Sequence, residues 1–67
     1  MDRELSYYRL YLLHFLKEQE DERVNDDEFI DARADVAEIE YEERRRDGMT
    51  VDQAQELAMA VLLEGLD

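Results

Sequence analysis

The residues that start and end helices constrain the fold of this chain most. It has no proline, and its two glycines, Gly48 and Gly65, each follow a segment of helical character. Glycine readily adopts the left-handed backbone that ends many helices. The two later segments also begin with capping pairs, Asn25 with Glu28 and Thr50 with Gln53. The pattern predicts an all-α fold of three helices, near residues 3–20, 26–47 and 51–64.

The first helix contains the longest apolar stretch. From Leu10 to Leu16 every residue except His14 is apolar, and consecutive residues sample all directions around a helix. A helix that is apolar nearly all round is typical of a central position, so we expect helix 1 at the centre, with His14 partly buried. A buried strand is the alternative for this run, but the length of the segment favours a helix.

The other two helices show one apolar side each. The side of helix 2 is predicted to carry Phe29, Ile30, Val36, Ala37, Ile39 and Tyr41. That of helix 3 is predicted to carry Ala54, Leu57, Ala58, Val61 and Leu62.

Length limits the chain to a single small domain over residues 1–67. Domains of this size often need disulfides, a metal or oligomerisation to be robust. The chain has no cysteine and one histidine, so we predict no disulfide, no metal site and no cofactor. Oligomerisation is the remaining support. We expect a homodimer whose interface includes Tyr7, Tyr11, Met59, Leu63 and Leu66. Tyrosines suit half-buried interface positions, and the other three residues point away from the main apolar face of helix 3.

Charge excludes several classes of partner. The net charge is −12, and the segment from Glu18 to Glu43 holds 13 of the 20 acids against two bases. An acidic surface repels nucleic acid and anionic membranes. No apolar run reaches the roughly 18 residues that span a membrane, and the start of the chain lacks the features of a signal peptide. We therefore expect a cytoplasmic protein that binds neither nucleic acid nor membranes.

Five of these acids repeat at helical spacing on helix 2, and we call them the acidic stripe. They are Asp27, Asp31, Asp35, Glu38 and Glu42. On a helix they lie within about 80° of one another, with one charge per roughly 5–6 Å, which is of the same order as the charge density along one nucleic-acid strand. We expect all five to face solvent and to meet a basic protein surface, such as that of a nucleic-acid-binding protein. The alternative is a solvated outer face that keeps the protein soluble.

The sequence contains no set of residues typical of an active site. Paired carboxylates need a partly desolvated site to act as acid and base, and the acidic stripe is predicted to face outward. The three arginines from Arg44 to Arg46 resemble the basic end of a helix rather than a nucleic-acid contact. We predict that the protein is not an enzyme.

Three stretches together resemble a known family. They are Glu4–Leu10, Phe29–Asp35, and Ala54–Ala58 with the later Leu63–Leu66. They are similar to a family of small proteins of Bacteroidales bacteria that is classed as a domain of unknown function and is often found in conjugative transposons. The resemblance covers almost all of this chain and the amino-terminal half of a typical member. It implies an all-helical fold and a mobile-element setting.

The sequence thus predicts a non-enzymatic acidic protein-interaction module. On behalf of a mobile element, such a module would mimic nucleic acid and inhibit host proteins that handle nucleic acid or defend the cell. The alternative is a structural or accessory homo-oligomeric helical protein whose acidic face is only solvated.

Overall fold

The computed structural model describes residues 7–66. Its α-helices are α1 (Tyr7–Glu18), α2 (Asp27–Arg46) and α3 (Val51–Leu62), and a short 3-10 helix (Glu22–Asn25) lies between α1 and α2. The described range contains no strand, which confirms the prediction of an all-α three-helix domain. The predicted start of helix 1 at residue 3 lies outside the described residues.

The end of α1 is a helix-terminating turn that the sequence did not reveal. The amide of Glu20 donates to the Lys17 carbonyl (3.1 Å) and the amide of Asp21 donates to the Leu16 carbonyl (2.9 Å). This pair of bonds normally has glycine at its left-handed position, but here Glu20 adopts φ +56°. The chain then enters the 3-10 helix, where the Asp21 side chain accepts a hydrogen bond from the Arg23 amide.

The predicted cap of α2 is wrong by one residue. Asp26, rather than Asn25, accepts a hydrogen bond from the Phe29 amide (3.1 Å). Asn25 is the last residue of the 3-10 helix, so its backbone belongs to that turn and not to the start of α2. Asp26 follows this turn and leaves the helical conformation, with φ −98° and ψ 88°, as a capping residue must.

The remaining helix ends confirm the sequence predictions. Gly48 adopts φ +99° after α2, and the amides of Gly48 and Met49 donate to the carbonyls of Arg45 and Arg44. Thr50 and Gln53 form a reciprocal capping box at the start of α3. Gly65 also has positive φ, in the turn that follows α3.

Helix α2, and not α1, occupies the middle of the molecule. It packs closely along α3 and also contacts α1, whereas α1 barely touches α3. The prediction of a central helix 1 is therefore wrong. Only Tyr8, Leu12 and Leu16 of α1 are buried, which is a single face at a spacing of four residues. Phe15 packs partly against the core, and the other residues of the apolar run are exposed.

The arrangement is flat, and flatness explains the uncovered side chains. The extents are 37 × 29 × 14 Å, and a helix with its side chains is about 10 Å across. Three helices in so thin a body each leave broad faces in solvent. Among residues 7–66, four of the nine buried side chains are alanines, so the helices approach closely around a small core. Val36, Ile39 and Leu57, which were predicted on the apolar sides of helices 2 and 3, are exposed.

Candidate interaction surfaces

The acidic stripe is exposed along its whole length. Asp27, Asp31, Asp35, Glu38 and Glu42 all lie on the surface of α2, as the helical spacing predicted. The first two acids of the stripe, Asp27 and Asp31, lie beside α1, since both contact Arg9. It is a row rather than a convergent cluster. Within the described part of the chain, no three acid or histidine side chains come close enough to hold a metal ion.

One arginine of α1 reaches across to the beginning of the stripe. The Nη1 atom of Arg9 is hydrogen-bonded to Asp31 Oδ1, and its Nη2 atom lies 3.9 Å from Asp27 Oδ1. A single guanidinium therefore bridges two carboxylates that are one helical turn apart. Arg9 is largely covered, yet the side chains of Asp27 and Asp31 stay 80% and 63% exposed. Asp35 and Glu38 also make contacts within the chain.

Tyr8 lies between the stripe and α3. Its hydroxyl donates to Gln55 Oε1 at 2.6 Å. Burial raises the pKa of Tyr8, and electrostatic repulsion from Tyr41 and Glu38 raises it further. Tyr8 therefore stays a neutral donor at physiological pH. Its contact with Gln55 links α1 to α3, which otherwise scarcely meet.

A second surface is the outer face of α1. It forms a shallow groove of about 370 Å³ that is lined by Tyr7, Leu10, Tyr11, His14, Phe15 and Glu18. Tyr7 and Leu10 are 55% and 49% exposed, and the rings of Tyr7 and Tyr11 lie 6.1 Å apart. His14, which was expected to be partly buried, is exposed, with its Nε2 atom 3.5 Å from Glu18 Oε2. The uncovered apolar face of α1 thus also includes polar groups.

The predicted oligomer interface is only partly on the surface. Tyr7 and Tyr11 are exposed, as predicted. Met59, Leu63 and Leu66 instead pack against the core of their own chain and are half-buried, so their prediction as outward-facing groups is wrong. The physical reason is the alanine-rich centre, since larger side chains at the end of α3 are needed to complete the packing around it.

Arg33 and Glu40, the polar residues on the inner side of α2, make contacts within the chain. Arg33 Nη1 donates to the carbonyls of Leu62 (3.1 Å) and Glu64 (2.8 Å), and so neutralises the end of α3. Its guanidinium also lies over the Phe29 ring, 5.2 Å from the centroid. Glu40 is paired with Arg44. Both residues therefore serve the fold.

Sequence reasoning missed two features of these surfaces. Arg9 was not assigned to the stripe, because its partners are 18 and 22 residues away and only the packing of α1 on α2 brings them together. Leu10 and His14 were assigned to a covered helix. A usable signal was the spacing of Tyr8, Leu12 and Leu16, which marks one buried face.

The comparison with protein families identifies the chain. The model of the family described as domain of unknown function, DUF1896, matches residues 1–67. The chain belongs to this family. Membership confirms the resemblance to a family of unknown function, and the Bacteroidales origin and transposon setting stay predictions. Among curated proteins and solved structures, none matches the chain.

Membership in DUF1896 assigns no activity, so function has to be argued from the two surfaces. No described helix of this family member has both the length and the apolar character that are required to cross a bilayer.

Proposed function

We propose that this protein is a non-enzymatic interaction module of the cytoplasm whose acidic stripe binds the basic surface of a partner protein. The observation that carries the proposal is the Arg9 bridge. One guanidinium spans Asp27 and Asp31, so the spacing of the row suits arginine side chains. Both carboxylates remain mostly exposed while they are bridged, which leaves them open to an incoming cation.

The spacing of the stripe favours a partner that otherwise binds nucleic acid. Successive carboxylates occur at every turn of α2, at about 5–6 Å along the axis, and a nucleic-acid strand likewise carries a regular row of charges, about one per 3.4 Å of its axis. A groove of Lys and Arg side chains that tracks phosphates would meet a comparable row of charges. In a mobile element, which the family resemblance implies, such a module would inhibit a host protein that handles nucleic acid.

The location of the carboxylates supports a binding role over catalysis. No charged side chain is buried in the described range, and the five acids of the stripe are exposed. The acids of the stripe therefore lack the desolvated surroundings that adapt a carboxyl group to acid–base chemistry. The alternative function, a structural homo-oligomer with a solvated acidic face, draws its support from the uncovered face of α1.

Capture from the native host followed by charge reversal tests the proposal. A partner recovered on the tagged protein should bind the Asp31→Lys, Asp35→Lys double variant at least about tenfold more weakly, and added salt should weaken binding of the unmodified chain. The matched control is Asp52→Lys with Glu56→Lys, which reverses two exposed acids on α3. Equal affinities of the two double variants would return the stripe to a solvated role.

A further inference from the structure

The residues that line the outer groove of α1 are spaced symmetrically along the helix. Its six lining residues are Tyr7, Leu10, Tyr11, His14, Phe15 and Glu18. They fall into three pairs about the midpoint between Leu12 and Leu13. The pairs are Tyr7 with Glu18, Leu10 with Phe15, and Tyr11 with His14.

The spacing of these residues is that of a helix–helix seam. Tyr7, Tyr11, His14 and Glu18 follow one another at intervals of four, three and four residues. This alternation keeps one side of a helix facing a partner helix. Leu10 and Phe15 flank the seam. The groove therefore suits another helix that runs along α1.

We propose that α1 of a second copy of this chain occupies the groove, antiparallel to the first and related to it by a twofold axis. In a twofold interface each contact occurs twice, with the roles of the two chains exchanged. The hydroxyl of Tyr7 then donates to the carboxylate of Glu18 in the other copy. Tyr11 lies beside His14 of the other copy, and Leu10 and Phe15 cover opposite edges of the seam.

Charge favours this groove over the other surfaces as the contact between two copies. Helix α1 carries Arg9, Lys17 and Glu18, for a net charge of 2 − 1 = +1. Helix α2 has eight acids and four arginines, a net charge of −4, and α3 has two acids, a net charge of −2. Two chains of net charge −12 repel each other. Contact through the one α-helix that is not acidic keeps this repulsion smallest.

The same geometry directs the acidic stripes outward. Arg9, which contacts the stripe, is two residues from Tyr11 and therefore about 160° away around α1. A helix in the groove thus lies on the side of α1 opposite to the stripe. The dimer presents two stripes and would increase binding to a partner with two basic sites through avidity. The pairing itself does not depend on the function proposed for the stripe.

Sedimentation equilibrium of matched variants tests the pairing. Leu10 and Val36 are both 49% exposed, but only Leu10 lines the groove. We expect a concentration-dependent dimer for the unmodified chain and for Val36→Asp, and self-association at least about tenfold weaker for Leu10→Asp. A monomer at all concentrations for the unmodified chain, or equal weakening by the two variants, would overturn the proposal. Circular dichroism checks that each variant is folded.

Cysteine cross-linking tests the register without disturbing the apolar contacts of Leu10. The chain has no native cysteine, so Tyr11→Cys and His14→Cys each introduce a single thiol. When the two variants are mixed and oxidised, the antiparallel register places the two thiols side by side. We expect the mixed disulfide in excess over its statistical share. Random pairing, or an excess of either symmetric disulfide, would rule out this register.

Discussion

At the scale of single residues, backbone conformation makes opposite predictions for Glu20 and Gly48. Both adopt positive φ, +56° and +99°, at the ends of α1 and α2. A side chain in the left-handed region costs energy that glycine avoids. We expect Glu20→Gly to raise the free energy of unfolding by about 0.5–1 kcal/mol and Gly48→Ala to lower it by about 1 kcal/mol. Urea denaturation measures both.

The change in unfolding free energy of Gly48→Ala reports the cost of the backbone conformation alone. A Cβ atom at Gly48 would meet no other atom within 4 Å, so its cost cannot come from a clash. The control for Glu20 is Gln19→Gly at the neighbouring position. Gln19 has no positive φ, so this variant should have a lower free energy of unfolding. Destabilisation by Glu20→Gly as well would contradict this account of the turn.

Asp21 gives a prediction for the pH dependence of a single group. Hydrogen bonds from the Arg23 side chain and then from its backbone lower the pKa of Asp21 to about 2. Because the pKa of the folded state lies below that of the unfolded state, this contact stabilises the fold above about pH 4. The stabilisation is lost as the pH falls through about 2.

Carboxyl chemical shifts measured by NMR should therefore give Asp21 a midpoint near 2. In Arg23→Met the midpoint should rise toward that of an ordinary aspartate, because the side-chain hydrogen bonds are removed. A site-specific titration is required, since protonation of the many other acids also relieves the repulsion within the chain. An unchanged midpoint in Arg23→Met would show that Arg23 is not the cause.

At the scale of helices, the start of α2 shows what local pattern can and cannot predict. A helix start near residue 26 was correctly predicted, because a capping residue followed three positions later by Glu28 marks a helix start. The exact capping residue was not predicted. The 3-10 helix that precedes α2 occupies Asn25, and a segment of four residues gives little sign of such a turn.

A pair of alanine variants tests the corrected cap. The Asp26 carboxylate accepts a hydrogen bond from the Phe29 amide, and no such bond is seen from Asn25. Asp26→Ala should lower the free energy of unfolding by about 1 kcal/mol, whereas Asn25→Ala should change it by less than about 0.5 kcal/mol. Thermal or urea denaturation followed by circular dichroism decides between them, and the reverse order would restore Asn25 as the cap.

The faces of the helices were harder to predict than their ends. The stripe was correctly placed in solvent because five charges at helical spacing cannot all be buried. Apolar residues carry weaker information, since a flat fold leaves many of them exposed. Val36 and Ile39 were expected inside for their chemistry alone, but the core of α2 consists of Ile30, Ala34 and Ala37.

At the scale of the whole molecule, helix order decides which surfaces are available. The apolar run of α1 predicted a central helix, but the apolar pattern of a helix does not show how many other helices pack against it. With α2 in the middle, the outer groove of α1 and the acidic stripe both remain uncovered. They lie on opposite flanks of α1, which permits self-association through one and partner binding through the other.

The central claim is that the acidic stripe is the recognition surface, and NMR shift mapping tests it most directly. An arginine-rich peptide is titrated into the labelled chain at physiological salt, and the amide shifts are followed residue by residue. We predict the largest shifts between Asp27 and Glu42, on the stripe. Smaller shifts are expected at Asp52 and Glu56, which are equally acidic but not arranged in this row. Equal shifts on α2 and α3, or the largest shifts in the groove of α1, would contradict the claim.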